Sequence, residues 1–578
     1  MADRDLLAET LENIALLLEL KGENPFKTRA YRTGAETVRS HSGDIVQLAK
    51  DEDLKGIKGI GDALASKLHE LASTGKLEFY EKLRAEFPET IFELFEIQGL
   101  GAKKVKALHE ELKIASVEDL KKACEEGAVA ALSGFGKKTE EKILAAIEYR
   151  ETHASLFRME QVSAAAERTL EVLRNHPAVS RVDVAGSYRR GKEVVHDLDF
   201  LVATKKPGDV MQAFVGQEEV EEILVNGETK SSVRMENGLQ CDLRAVKNEE
   251  YPFALAYFTG SKEHNVEIRG RCLKKGFTLN EYRLEAVSEE AGDLPEIHSE
   301  EDLYELLGLD YVEPALRENN GEVEAAEDGN LPKLIELENL RGTFHNHTTE
   351  SDGKNTLREM AEGARELGLQ YLGISDHSKS SFQANGLDER RLKKQKEDIA
   401  ELNEEFGEDF RLFSGTECDI LKDGSLDFDD DVLSSLDYVV ASVHNAFSLA
   451  EAEMTKRIIS AIENPNVTML GHLTGRLLLK REPYAVNVPA IIDAAADTGT
   501  IIEINANPWR LDMDWRWWKL AKEKGVKCAI NPDAHSVDGF QFLAFGVKVA
   551  RKGWLTREDV VNCLPLGEIE SVLAAKRK

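Results

Sequence analysis

The sequence predicts a multidomain α and α/β chain, helical to about residue 154 and α/β beyond it. Three observations carry that expectation. A glycine turn of one pattern recurs three times near the start, each time ahead of an amphipathic helix: GIGDALASKLHELA, GLGAKKVKALHEEL and GFGKKTEEKILAAI. From about residue 155, short β-branched runs alternate with helix-like periods. Beyond residue 340, seven more such runs follow, and histidines and acids gather at their ends.

Length and composition bound the rest. At 578 residues the chain holds several domains. No apolar run approaches the roughly 20 residues of a membrane helix. The start, MADRDLLAET, lacks the basic flank and apolar core of a signal peptide. The six cysteines form no C-x-x-C pair, as expected of reduced thiols in an intracellular, cytoplasmic chain. The net charge of −32 argues against a surface coated in DNA-binding charge. Local basic clusters remain at Lys103, Lys104 and Lys106, at Lys137 and Lys138, and at Arg189 to Lys192. Any DNA binding is therefore expected to be weak and salt-sensitive unless ends or gaps add contacts.

The N-terminal stretch opens on Leu6, Leu7, Leu11, Ile14, Leu17 and Leu18 at helical spacing. In the three turns, Gly59 and Gly61, Gly99 and Gly101, and Gly134 and Gly136 precede helices whose first N–H groups can meet a phosphate. The pattern resembles the helix-hairpin-helix motif, which grips the DNA backbone without reading bases. The first segment also resembles the lyase domain of the DNA polymerase beta family. That resemblance implies Lys67 as a Schiff-base lysine, with Lys27, Tyr31, Arg32 and Lys76 at phosphate-contacting or supporting positions. A second lysine often found in the family is replaced by Ala63.

The next element is GSYRRGKEVVHDLD, residues 186–199. In a strand, residues two apart share a face, so Asp197 and Asp199 set two carboxylates side by side. Two such groups repel unless a cation lies between them. Hard oxygen ligands of this kind suit Mg²⁺. A third acid, Asp242, lies in the apolar run LQCDLRAV, and three carboxylates on two ions would suit in-line phosphoryl transfer. The Gly-Ser turn, with Arg189 or Arg190, can hold a triphosphate.

These motifs, followed by YFTGSKEHNVEIRGRCLKKGFTLNEY, resemble the nucleotidyltransferase-type palm and thumb of family X DNA polymerases across residues 155–315. The resemblance implies Mg²⁺ or Mn²⁺ on Asp197, Asp199 and Asp242. It implies nucleotide binding by Gly186, Ser187 and Arg190, and a sugar-discriminating wall at Tyr257, Phe258 and Gly260. Asn265 and Arg269 fall at positions that reach the minor groove of the nascent pair. His196 stands where the family often has glycine, and it could either crowd a triphosphate oxygen or donate to it. Residues 313–340 are acidic with Gly and Pro, and are expected as a linker or extended strap.

Beyond residue 340 the runs are GTFHNH, YLGISDH, FRLFSGTECD, YVVASVH, VTMLGH, IIEINAN and VKCAINPDAH. Alternation with helices implies parallel strands whose C-terminal ends meet at one mouth. His345, His347, His377, His444, His472 and His535 should therefore converge with Asp352, Glu417 and Asp533. Nine mixed ligands are too many for one ion and imply two or three Mn²⁺, Zn²⁺ or Fe ions.

The H-x-H pair, TESDG, SDHS, GTECDI, SVH, GH and PDAH resemble, in order, the motifs of the PHP (polymerase and histidinol phosphatase) domain. That implies a (β/α)7 barrel hydrolysing phosphodiesters. Arg476 and Arg510 are expected phosphate clamps; Asn505 and Asn507 line the mouth or form turns.

The expected domains are 1–90 lyase-like helix-hairpin-helix, 91–154 fingers-like, 155–245 palm, 246–315 thumb, 316–340 linker and 341–578 PHP. The expected function is gap filling in base excision repair, joined to Mn²⁺-dependent 3′–5′ exonuclease or 3′-phosphodiesterase activity and cleavage at abasic sites. Gapped or primed DNA and dNTPs are the partners, no membrane is involved, and the chain acts as a monomer. Two rivals stand beside this. A histidinol-phosphatase-like enzyme would act on histidinol phosphate and not on DNA. A non-catalytic DNA-end scaffold would need neither metal site.

Overall fold

The computed structural model describes residues 4–40, 45–57, 59–97, 99–153, 155–287 and 296–576. The chain divides into two compact units, residues 1–154 and 155–578. Among the described residues, no helix is long and apolar enough to cross a membrane.

The first unit is helical. Leu7, Leu11, Ile14 and Leu18 on Arg4–Leu20 are buried at the spacing read from sequence. They join one apolar core that runs on to Ile143 and Ile147, so the regions expected as 1–90 and 91–154 share it. The three hairpins repeat one local geometry. The N–H groups of Ile60, Leu100 and Phe135 donate to the carbonyls of Ile57, Ile97 and Leu132. Gly59, Gly99 and Gly134 all have φ near +90°, a region that glycine enters without steric cost.

In the second unit, helix Met159–Arg174 packs on a five-stranded sheet ordered Val179–Val184, Asp197–Thr204, Gln240–Val246, Lys230–Met235, Val220–Asn226. Asp197–Thr204 runs parallel to Gln240–Val246; the other pairs are antiparallel. Leu198 and Phe200 go into the core, which leaves Asp197 and Asp199 on the opposite face. Helices Tyr251–Thr259, Lys262–Lys274 and Glu300–Leu307 follow.

The stretch 313–340, expected as a linker or an extended strap, packs against the rest of the second unit. Leu316, Val323, Ala326 and Leu334 belong to the same apolar cluster as Phe253, Ile268 and Leu303, while Arg317 and Glu322 are fully buried. The stretch is a packed strap, and two of its acids, Glu318 and Glu322, pair internally with Lys552 and His264.

Beyond it, strands over the seven runs pair in parallel, in the orders Gly342–Thr343, Tyr371–Ile374, Arg411–Ser414 and Glu417–Asp419, Val440–Ser442, Met469–Leu470, Ile501–Asn505, Cys528–Asn531. Parallel bridges His377–Glu417 and Asn346–Ala534 join runs at their C-terminal ends, the second linking the first run to the last. Helices such as Leu357–Glu366, Glu389–Phe406 and Glu451–Ile462 alternate with the strands, as parallel connection requires.

Candidate active sites

Parallel pairing sets Asp199 directly opposite Asp242, with Asp197 two residues along on the same face. Burial, then the charges of Asp197 and Asp242, push the Asp199 carboxyl up to about 7. Burial and Asp242 raise Asp197 likewise. Lys230 Nζ lies 3.1 Å from Asp242, and Gln240 Nε2 donates to Asp242 at 2.9 Å. Three half-buried carboxylates on one face, two of them resisting ionisation, are a donor set a divalent cation would relieve.

The helical turn Gly186–Arg189 begins where the Ala185 N–H donates to the Asp199 carbonyl at 2.7 Å. Gly186 has φ +62°, and a Cβ there would stand 2.2 Å from Asp199 Oδ2. No other residue lets the turn approach this carboxylate. Gly186→Ala would add roughly 1–2 kcal/mol of backbone strain and displace Asp199. The primer extension that the palm resemblance implies should fall by more than about 100-fold, beyond what disturbing an outer-shell partner does to a metal site. The phosphodiester hydrolysis implied for the C-terminal domain and the circular-dichroism spectrum should not change.

The basic cluster Arg189 to Lys192 is not a free DNA-facing surface. Arg189 is paired with Glu300 at 2.7 Å, and Arg190 and Lys192 with Glu318 at 3.0 and 3.1 Å. Arg190 Nη1 also donates to the Thr259 carbonyl at 2.5 Å, which ties it to the turn bearing Gly260. Tyr257 and Phe258 meet edge to face at 5.1 Å; Asn265 Nδ2 donates to the Tyr257 carbonyl at 2.8 Å, and Arg269 lies 5.1 Å from the Tyr257 ring. Tyr257, Asn265 and Arg269 line one cavity. His196 is exposed, its Nδ1 3.3 Å from Ser155 Oγ.

At the second site all nine expected ligands converge. Three groups of ligand atoms lie close enough to share an ion: His345, His347 and Asp533; His347, Asp352, His377 and His535; and His377, Glu417 and His444. His472 Nε2 lies 2.9 Å from Glu417 Oε1. Nε2 of His345, Nε2 of His347 and Nδ1 of His377 are buried without a well-directed hydrogen bond, and face carboxylate oxygens 3.3, 3.2 and 2.8 Å away. Buried nitrogens and carboxylates so poorly paired are costly, and a cation between them would satisfy both. The shared residues fit a cluster of two or three ions. Burial resists ionisation of Glu417 and Asp533, yet the surrounding imidazoles hold both carboxyls well below the usual range.

Sequence reading missed Glu503 and Asp419. His345 Nδ1 donates to Glu503 at 2.7 Å, and His444 Nδ1 to Asp419 at 2.5 Å. Each carboxylate fixes which ring nitrogen is left for a metal. The sequence marks Glu503 only as an acid interrupting the run IIEIN, with nothing to say what it faces.

The expectation of Arg476 as a phosphate clamp is corrected. It is buried, with Nε on the Arg510 carbonyl, Nη1 on Asp514 and Nη2 on the Leu511 carbonyl, so it braces the loop. Arg510 stays at the site, with Nε 3.5 Å from Asp533. Asn505 Nδ2 bridges Glu503 and Asp533, and Asn507 accepts from the Trp509 N–H as a turn former.

In the first unit, Lys67 Nζ lies 5.2 Å from the Phe79 ring, which stacks on Tyr31. Arg32 pairs with Glu19, and Lys27 lies 3.5 Å from Glu23. Gly61 and Gly101 cap their helices without side-chain help. A Cβ at Gly61, Gly99, Gly101, Gly134 or Gly136 would meet nothing within 4 Å, so these turns are open to a ligand.

Four family models match the chain: a helix-hairpin-helix domain over residues 2–77, a SAM-like helix-hairpin-helix tandem over 91–148, the DNA polymerase beta thumb over 254–318 and the PHP domain over 343–507. The DNA polymerase/3′-5′ exonuclease PolX of Bacillus subtilis (strain 168) is 39% identical over 575 residues, 99% of either chain. A probable phosphatase of Thermoanaerobacter sp. (strain X514) is 31% identical over 247 residues, 40% of this chain and 94% of its own. DNA polymerase lambda of Rattus norvegicus is 26% identical over 345 residues, 54% of this chain and 56% of its own.

Proposed function

The chain belongs to the PolX-type family X DNA polymerases that carry a C-terminal PHP domain, and from that premise we propose that it fills short gaps in damaged DNA and trims the 3′ ends it extends. The observation that carries this reading is the presence of two separate cation-fitting clusters, one on the sheet at Asp197, Asp199 and Asp242, the other around Glu417.

Bound divalent cations supply the charge that lowers the pKa of an attacking hydroxyl or water and offsets the charge on phosphoryl oxygens. The chain's residues do the rest. Asp197, Asp199 and Asp242 hold Mg²⁺ or Mn²⁺ at the polymerase site. Ser187 and Arg190 meet the triphosphate of a dNTP, and the Gly186 turn gives it close backbone access. Tyr257, Phe258 and Gly260 wall off the ribose 2′ position, and Asn265 and Arg269 reach the minor-groove edge of the new pair. The hairpin glycines grip backbone phosphates on gapped or primed duplex.

In the PHP site, His345, His347, His377, His444, His472 and His535, with Asp352, Glu417 and Asp533, hold two or three ions of Mn²⁺, Zn²⁺ or Fe. Arg510 steadies the scissile phosphate. The activity there is 3′–5′ exonuclease and 3′-phosphodiesterase, extending to cleavage at abasic sites. The protein works as a cytoplasmic monomer in base excision repair. The likeness to a phosphatase is confined to 40% of the chain, and a small-molecule phosphatase has no use for the Asp197–Asp242 cluster.

The test is primer extension and degradation on one gapped duplex, with Mg²⁺ and with Mn²⁺. Both longer and shorter products are expected; activity on histidinol phosphate with none on DNA would reverse the reading. Lys67 adds a lyase step at a 5′-deoxyribose-phosphate end through attack by its amine. Borohydride should trap a covalent adduct with wild-type chain and none with Lys67→Ala; an adduct surviving that change would remove Lys67 from the role.

A further inference from the structure

We propose that the PHP domain presets the polymerase's nucleotide pocket through the strap, with Lys552 as the positioning residue that carries the coupling. The inference rests on the palm being the polymerase site and goes beyond it.

The Thr259–Ser261 turn is held from three directions. Arg190 Nη1 donates to the Thr259 carbonyl at 2.5 Å, Arg189 Nη1 to Thr259 Oγ1 at 2.6 Å, and the Ser261 N–H to the Arg317 carbonyl at 3.1 Å. Arg317 belongs to the strap, and so does Glu318, which accepts from Arg190 Nε at 3.0 Å. Glu318 is held in turn by Lys552 Nζ at 2.5 Å, and the same ammonium donates to the Arg190 main-chain carbonyl at 3.0 Å. One side chain thus fixes both the backbone and, through Glu318, the guanidinium of Arg190.

Lys552 ends helix Leu543–Lys552 of the PHP domain, which carries none of the nine ligands. Its side chain is fully buried. A buried ammonium costs several kcal/mol unless its partners compensate, so packing alone would favour an apolar residue here. Burial would raise the Glu318 carboxyl, but Lys552 and Arg190 bring it down to about 2, so the contact is ionic. Two further clasps tie the strap to the PHP domain: Arg551 to Glu313, and Lys519 Nζ to the Asn320 carbonyl at 2.8 Å. Lys552 and Glu318 act on the nucleotide only through Arg190 and its turn.

The experiment uses the full chain with Lys552→Met, Glu318→Gln and the pair together. Each single change should raise KM for the incoming dNTP by roughly 3–30-fold, the span of a remote coupling, with kcat changed less. Discrimination between dNTP and rNTP should fall, and exonuclease rate should stay within about twofold. The pair should fall short of the sum of the two singles, because the Lys552–Glu318 contact is common to both. Unchanged KM and discrimination, parallel loss of both activities, or full additivity would overturn the coupling. If Lys552→Met does not fold, Glu318→Gln, which keeps its shape, decides by the same readouts. A wild-type chain that extends no primer would remove the polymerase reading itself, and the coupling with it.

Discussion

Alanine at both Asp197 and Asp199 should stop nucleotide addition while 3′–5′ degradation continues at the wild-type rate. The two carboxylates and Asp242 are the cation-holding groups of the palm sheet, and burial with mutual repulsion already pushes Asp199 up to about 7. Removing two of the three leaves no chelate, so the loss should exceed the roughly 10–100-fold cost of disturbing an outer-shell partner. The stability of the second unit should hold or rise slightly, since two crowded acids are relieved. Extension and degradation of one labelled gapped duplex read both activities in one gel. Loss of degradation alongside extension would mean the sites are not independent.

His345→Ala should have the mirror effect. His345 is fully buried; its Nδ1 is fixed on Glu503, and its unpartnered Nε2 lies 3.3 Å from Glu417. That orientation leaves one nitrogen for a metal. Truncation removes a ligand and strands the Glu503 carboxylate in the interior. Nuclease activity should fall by more than about 100-fold, and metal retained after dialysis should drop by elemental analysis, while primer extension persists. Unchanged metal content would take His345 out of the ligand set.

Much of this was legible in the chain because the chemistry sits on regular structure. Asp197 and Asp199 follow strand periodicity, and the partner strand brought Asp242 opposite Asp199, as its apolar run suggested. The histidines lie at strand ends, so parallel topology alone gathers them. Four of the hairpin glycines, Gly59, Gly99, Gly134 and Gly136, were legible because their turns need positive φ.

What sequence hid depends on partners distant in the chain. Glu503 and Asp419 read as interruptions in β runs until the ring nitrogens 158 and 25 residues away were placed beside them. Arg476 reads as a free arginine near the mouth, and only the loop carbonyls of Arg510 and Leu511 reveal it as a brace. For 313–340 the sequence left a linker and a strap both open. Pairing of Glu318 with Lys552 and of Glu322 with His264 makes it a strap, and charge composition does not say which side of a chain faces inward.

The central claim, two separate cation-holding pockets in one chain, is tested most directly by anomalous scattering at the manganese edge from Mn²⁺-soaked crystals. The account predicts one set of peaks among Asp197, Asp199 and Asp242, and a second set of two or three between His345 and His535. Peaks at one place only, or at neither, would contradict it.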